Sequence, residues 1–336
     1  MTIRSGPFNL LTDVPGIRVG HAADADVRSG VTVILPDEPA LAGVDVRGGG
    51  PGTRETELLR PTCAVDRIDA IVLSGGSAFG LDAASGVANY LAANGRGWPV
   101  VGGMRVPIVP SAILFDLANG GTKTWGEDPP YRRLGREAVI AAAHGVFPLG
   151  NVGAGYGAAA GRLKGGLGSA SVIDDASGLV VAALVAANPV GSVVRPGTGR
   201  FWAADLEQHD EFGGYREEIP AGDIDLDLPA EGRIGGHTSI GVVATNLAFD
   251  KASAERIAIM AQDGYARAIR PVHTPMDGDT IFVMSTGRLK PTVPLPLAVA
   301  RVGSLAADCV ARAVARAVHA ADSLGGLPSW RSLHGS

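Results

Sequence analysis

Thr238-Ser239-Ile240-Gly241-Val242-Val243-Ala244, followed at Asp250-Lys251 by a helical run to Ile269, is the stretch on which the fold turns. Ser239 to Ala244 is short, strongly apolar from Ile240 on and contains the β-branched Ile240, Val242 and Val243, which predicts a strand covered on both faces. Asp250 is placed to cap the next element, and Ile257, Met260, Ala261 and Ala268 recur at helical spacing over Lys251 to Ile269. A buried strand running straight into an amphipathic helix implies sheet packed under helix. The same alternation extends outward. Val31 to Leu35, Ala70 to Leu73, Leu179 to Ala186 and Thr280 to Met284 read as strands, and Phe79 to Ala93 as a helix. Leu297 to Ser323 carries Val299, Val302, Leu305, Ala306 and Cys309 on one stripe, with Gly325 and Gly326 as stop signals. The class is therefore α/β or α+β.

Composition narrows the function classes. The 336 residues are 46% hydrophobic, enough for one large core or two ordinary domains. A formal charge of -5 with scattered arginines argues against nucleic acid as a partner. Cys63 and Cys309 are too few and too far apart for a disulfide framework or a CxxC site. Both are expected as buried small hydrophobes in a cytoplasmic protein. Met1 to Leu11 lacks the parts of a secretory signal. The longest apolar stretch carries Arg301, Asp308, Arg312 and Arg316, which argues against a membrane span. Ala203 to Gly232 is crowded with Asp and Glu and reads as an exposed connector, delivering the chain to Gly235-Gly236-His237-Thr238.

Four places could carry chemistry, and each has a plain reading beside the functional one. Thr238, at the mouth of a buried strand, is either a strand residue or a nucleophile. Asp277-Gly278-Asp279 is either a turn or a carboxylate pair; on one face of an extended segment the two charges repel unless a cation or donors compensate them. It lacks the remaining ligands of a calcium loop, and nothing else in the chain asks for a metal or cofactor. The glycines of Val152 to Gly157 and Gly161 to Gly168 would let backbone N–H groups approach a ligand, with Arg162 or Lys164 adding charge. Asn188-Pro189 is either a turn or a side-chain amide at a strand's edge.

Taken in order, these places resemble the DmpA-type family of self-processing peptidases, which includes D-aminopeptidase/esterases, β-peptidyl aminopeptidases and nylon-oligomer endo-hydrolases. The likeness runs through Asp13 to His21, Leu73 to Leu81, Ser111 to Asp116, Lys164 to Gly168, Asn188 to Gly191, Thr238 to Thr245 and His273 to Thr280. It implies an α+β fold, a four-layer αββα sandwich similar to the Ntn hydrolases. It also implies one catalytic domain over residues 1–336, cut between His237 and Thr238 into chains 1–237 and 238–336. The freed α-amine, with an ordinary pKa of about 7.7 to 8.0, would serve as base for the Thr238 hydroxyl. Asn188 would donate to the oxyanion, a cation would keep the amine neutral, and Asp277 and Asp279 would orient hydroxyl and amine. The family's lysine position falls on Arg162, with Lys164 two places on, so both are candidates. Relatives often have Asn where this chain has His237, and some have Tyr where it has Phe115. Implied substrates are small peptides, amino-acid amides or esters, or oligoamides, taken by an oligomer of processed pairs.

Two other readings remain open from the residues. Ser77, on a strand-turn-helix, would be a nucleophile elbow, although Phe79 stands where that motif wants glycine. The glycine-rich turn would alternatively serve a non-catalytic, nucleotide-binding α/β module, but lacks the G-x-G-x-x-G order.

Overall fold

The computed structural model describes residues 3–214 and 237–335. Gly235, Gly236 and the connector acids Glu217, Glu218, Asp223, Asp225 and Asp227 lie outside them. Leu179–Ala187 explains the unbroken apolar runs. Val181, Ala183 and Val185 face one apolar cluster while Val180, Ala182, Leu184 and Ala186 face another, so this strand has no solvent side.

It belongs to a seven-stranded sheet ordered Ile3–Ser5, Gly166–Asp174, Leu179–Ala187, Ile240–Leu247, Thr280–Leu289, Ala40–Val46, Arg67–Ile68. A second sheet has five strands: Ile17–Asp24, Ser29–Pro36, Ile71–Ser74, Ser111–Ile113 and Thr53–Arg54. Ile240, Val242 and Phe282 of the first meet Val19, Ile34 and Leu73 of the second in the central core. Helices α1 (Ala83–Ala93) and α2 (Tyr131–Ile140) cover the outer face of the five-stranded sheet. Helices α3 (Lys251–Ala268) and α4 (Leu295–His319) cover the outer face of the seven-stranded one. The layers run α, β, β, α, as expected.

One topological detail builds the site. Ile240–Leu247 and Thr280–Leu289 are parallel and joined through α3, so their N-terminal ends lie side by side. Leu179–Ala187 runs antiparallel to Ile240–Leu247 and brings its C-terminal end to the same edge. Thr238, Asn188 and the Asp277–Asp279 loop are thereby gathered from three distant stretches.

The Asp250 carboxylate caps α3 by accepting from Ser253 N–H, as its position predicted. Elsewhere the boundaries move. A 3₁₀ stretch, Ser77–Asp82, precedes α1, and α4 stops at His319, short of the predicted Ser323. Helix α2 and the strands Ile17–Asp24, Ala40–Val46 and Gly166–Asp174 were missed, in part because glycines interrupt the strands' apolar pattern. Those glycines admit the helices. A Cβ on Gly43 would lie 2.7 Å from the Glu255 nitrogen of α3, and one on Gly168 2.0 Å from the Ala313 carbonyl of α4. Cys309 is buried as expected; Cys63 is only half-buried, its thiol against the Glu57 carbonyl. Among the described residues no helix is long and apolar enough to cross a membrane.

Candidate active site

Thr238 enters the sheet two residues before its strand begins. Its N–H donates to the Asn188 carbonyl at 2.7 Å, extending the ladder past the end of Leu179–Ala187. The residue is only 2% exposed. Its hydroxyl donates to the carbonyl oxygen of His237 and accepts from the Gly278 N–H at 3.1 Å. The hydroxyl therefore sits against the peptide group that precedes it. Glycine is required at 278, since a Cβ there would lie 2.8 Å from the Thr238 Oγ1 and 2.7 Å from the Gly50 carbonyl. The His237 imidazole is shifted downward by burial, with the Pro189 carbonyl pulling the other way.

Asp277 and Asp279 precede the strand, which starts at Thr280, so they occupy a loop rather than one face of an extended segment. Both are buried. Asp277 accepts from Val190 N–H at 3.0 Å, from Thr274 N–H at 3.2 Å and from the Thr274 hydroxyl at 2.6 Å. Asp279 accepts from Ser239 N–H at 2.9 Å and His273 N–H at 3.2 Å, and the His273 Nδ1 lies 2.9 Å from its Oδ2. Burial pushes the Asp277 carboxyl up, the Asp279 charge pushes it further, and Thr274 and Val190 oppose both. Among the described residues neither carboxylate bonds to the Thr238 hydroxyl. They grip its neighbours, Ser239 on one side and Val190, past Asn188, on the other.

Asn188 is fixed at both ends. Its Oδ1 accepts from Ala159 N–H at 2.8 Å and its Nδ2 donates to the Phe115 carbonyl at 3.1 Å, an arrangement that settles which end of the amide is which. The two cation candidates separate cleanly: Arg162 is exposed, while Lys164 is 1% exposed. Lys164 Nζ donates to the carbonyls of Gly165 at 2.9 Å and Gly155 at 3.3 Å. Burial brings its ammonium down to about 7, with Asp116 pulling upward. Of the two ways to compensate the aspartate pair, a cation or donors, the described residues show donors. Asp277 and Asp279 are met by N–H, hydroxyl and imidazole groups, and the acid whose charge acts on Lys164 is Asp116.

Asp116, His273 and Thr274 had been quoted within motif blocks but given no role. Asp116 accepts from Gly76 N–H at 2.7 Å, and burial pushes its carboxyl up to about 6. It directly follows Phe115, whose carbonyl holds Asn188. The signal available was the Gly76–Asp116 pairing of two glycine- and acid-bearing strand ends, which spacing alone does not reveal.

The remaining candidates fare differently. Ser77 is left-handed at φ 51, as an elbow would have it, but no histidine bonds to its hydroxyl among the described residues. Gly153 and Gly155 of the 152–168 turn serve close packing: Cβ atoms on Gly155 and Gly153 would lie 2.1 Å from Leu167 N and 2.2 Å from Thr32 Oγ1. Among the described residues no group of three or more His, Cys, Asp or Glu side chains is placed to hold a metal.

Known proteins share this plan. The model for Peptidase family S58 matches residues 9–329. An uncharacterized aminopeptidase of Mycobacterium leprae is 42% identical, the match covering 98% of this chain and 95% of that one. A 6-aminohexanoate-oligomer endohydrolase of Paenarthrobacter ureafaciens is 30% identical, over 86% of this chain and 79% of its own. Among solved structures, a Burkholderia sp. β-aminopeptidase superposes with a TM-score of 0.69 at 23% identity, covering 98% of this chain and 93% of that chain. The L-aminopeptidase D-Ala-esterase/amidase of Ochrobactrum anthropi, described as a variant of the Ntn hydrolase fold, gives 0.68 at 23%, covering 98% and 90%.

Proposed function

Because the chain belongs to peptidase family S58, we propose that it is a self-processing N-terminal-nucleophile hydrolase, with Thr238 released by scission of the His237–Thr238 bond into chains 1–237 and 238–336. Membership makes it a hydrolase of the aminopeptidase/amidohydrolase kind, acting on peptide or amide bonds. The observation that carries the finer reading is the Thr238 hydroxyl lying on the His237 carbonyl under the Gly278 N–H.

In the processing step the Thr238 oxygen attacks the carbonyl carbon of His237. The C–N bond breaks, the nitrogen takes a proton to become a free α-amine, and an ester joins the two residues. Water then cleaves that ester, leaving a carboxylate on His237 and a hydroxyl on Thr238. In the mature enzyme the amine accepts the hydroxyl proton as the oxygen attacks a substrate carbonyl. Asn188, already braced by Ala159 and Phe115, turns its remaining Nδ2 hydrogen to the oxyanion. Asp279 holds the backbone after the nucleophile at Ser239, and Asp277 holds Val190, two residues beyond Asn188. Lys164 rather than Arg162 supplies the positive potential, a choice supported by its burial.

The relatives' names point to amino-terminal amides, esters, short peptides or oligoamides as substrates. We place the enzyme in the cytoplasm, where two free cysteines are at home, as an oligomer of processed pairs. Intact mass and N-terminal sequencing of the purified protein test the core of this: wild type yields two chains with Thr238 leading the second, and Thr238→Ala yields one inactive chain. Full amide hydrolysis by an unbroken chain would sink the proposal.

A further inference from the structure

Next to the Asp277–Asp279 loop lies a pocket of about 430 Å³ whose walls include Trp202, Ile269, Arg270, Pro271 and Val272. Two guanidinium groups lie over the Trp202 ring, Arg195 at 4.5 Å and Arg270 at 5.5 Å from its centroid. Among the described residues neither pairs with a carboxylate. Arg267, also at the pocket, is already spent on Asp308. The Trp202 Nε1 and Arg195 Nε are buried and have no hydrogen-bond acceptor among the described residues. Stacking on a ring uses the face of a guanidinium but leaves its in-plane N–H donors free. Arg270 in the wall, and Arg195 stacked on the wall's Trp202, thus bring positive charge and several N–H groups to this place. An oxyanion matches that set, since a carboxylate, or two oxygens of a phosphate, accepts two parallel N–H bonds from an arginine fork.

Position supplies the source of the anion. Arg270 pairs with Ser192 through both backbone bonds, 2.9 and 3.0 Å. Ser192 is four residues from Asn188, and Arg270 three from His273, which holds Asp279. Four extended residues span at most about 14 Å. That is the reach of a short peptide whose scissile carbonyl lies at Thr238.

We infer that Trp202, Arg195 and Arg270 form a subsite for an oxyanion, filled by the free C-terminal carboxylate of a short peptide substrate. The inference rests on amide hydrolysis at Thr238, and two measurements separate it from that reading. The first is calorimetric titration with inorganic phosphate of wild type, Arg270→Gln, Arg195→Gln and Trp202→Phe, each checked for a wild-type melting temperature. The second is kcat/KM of the processed enzyme on a tripeptide and on its C-terminal amide.

Phosphate should bind wild type and bind at least tenfold more weakly to either arginine variant. Wild type should favour the free acid over the amide by about tenfold, a charge-assisted hydrogen bond's worth, and Arg270→Gln should erase the preference without slowing the amide. If phosphate binds but acid and amide react alike, the occupant is a free ion and the substrate assignment falls. If phosphate does not bind and there is no preference, the subsite is refuted. A chain that hydrolyses neither peptide but loses phosphate binding in Arg270→Gln keeps the oxyanion site and overturns its link to catalysis at Thr238.

Discussion

Two buried acid clusters flank the strand ends, and they meet the cost of burial in opposite ways. Asp277 and Asp279 are surrounded by donors on almost every side, from Val190, Thr274, Ser239 and His273. Asp116 has the Gly76 N–H on one oxygen, with Ser29 and the Lys123 ammonium opposing the upward push of burial, and its charge in turn acts on Lys164. The first cluster is a frame: donors hold its oxygens although burial and Asp279 still push the Asp277 carboxyl up, and Asp279 fixes the backbone just after Thr238 at Ser239. The second is poised to titrate, with the carboxyl near 6 and the ammonium near 7. Rigid hydrogen bonding suits the group that positions a nucleophile. A pair that changes charge near neutrality suits the tuning of potential around it.

The contrast makes measurable differences between the clusters. Asp279→Asn should be the most damaging change, because an amide cannot accept from Ser239 and His273 as the carboxylate does. Processing and turnover should each fall by about a hundredfold or more, at a stability cost of about 2 kcal/mol; a gel time course and an amidase assay read both. Gly278→Ala comes next. Its methyl group must push aside the Thr238 hydroxyl or the Gly50 carbonyl, and misplacement on that scale should slow processing by about ten- to a hundredfold.

Lys164→Met probes the titrating pair. In wild type the unfolded chain keeps the lysine proton up to about 10.5, whereas the folded chain releases it near 7. Between those values the unfolded state binds more protons, so folding stability rises with pH. The slope from this group approaches about 1.4 kcal/mol per pH unit. Subtracting denaturation curves of the Met variant from wild type over pH 7 to 9 should recover that slope; equal curves would place Lys164 outside the buried pair. The smallest expected effect is Ser77→Ala, within about twofold of wild-type activity. A large loss there would hand the chemistry to the strand-turn-helix elbow instead.

How much of this was legible beforehand depends on where the determinants lie. The apolar strands and the capped helix after Asp250 were readable because their signals are local: β-branched runs, 3.6-residue spacing, a capping acid. Thr238, Asn188, Asp277 and Asp279 were singled out as residues, and the family likeness put them together. Their partners were not readable. His273 and Thr274 act through a loop whose folding turns their donors onto the two acids, and Lys164 comes under the charge of Asp116 only because the two sheets stack. Helix α2 escaped because its sequence, Tyr131–Ile140, carries three arginines and a glycine; its buried side shows only once Gly20 and Gly86 let it approach.

The central strand of the larger sheet leaves one last point. Ile240–Leu247 is sandwiched between Leu179–Ala187 and Thr280–Leu289, and the C-terminal Trp330 donates to the Gly199 carbonyl and stacks on Phe201. A nick at 237–238 would create two polypeptides with no seam between them: pulling them apart means ripping an interior ladder lengthwise. An affinity handle on the last residue should consequently retrieve the N-terminal piece in full stoichiometry, and only a denaturant should tell the nicked molecule from the whole one.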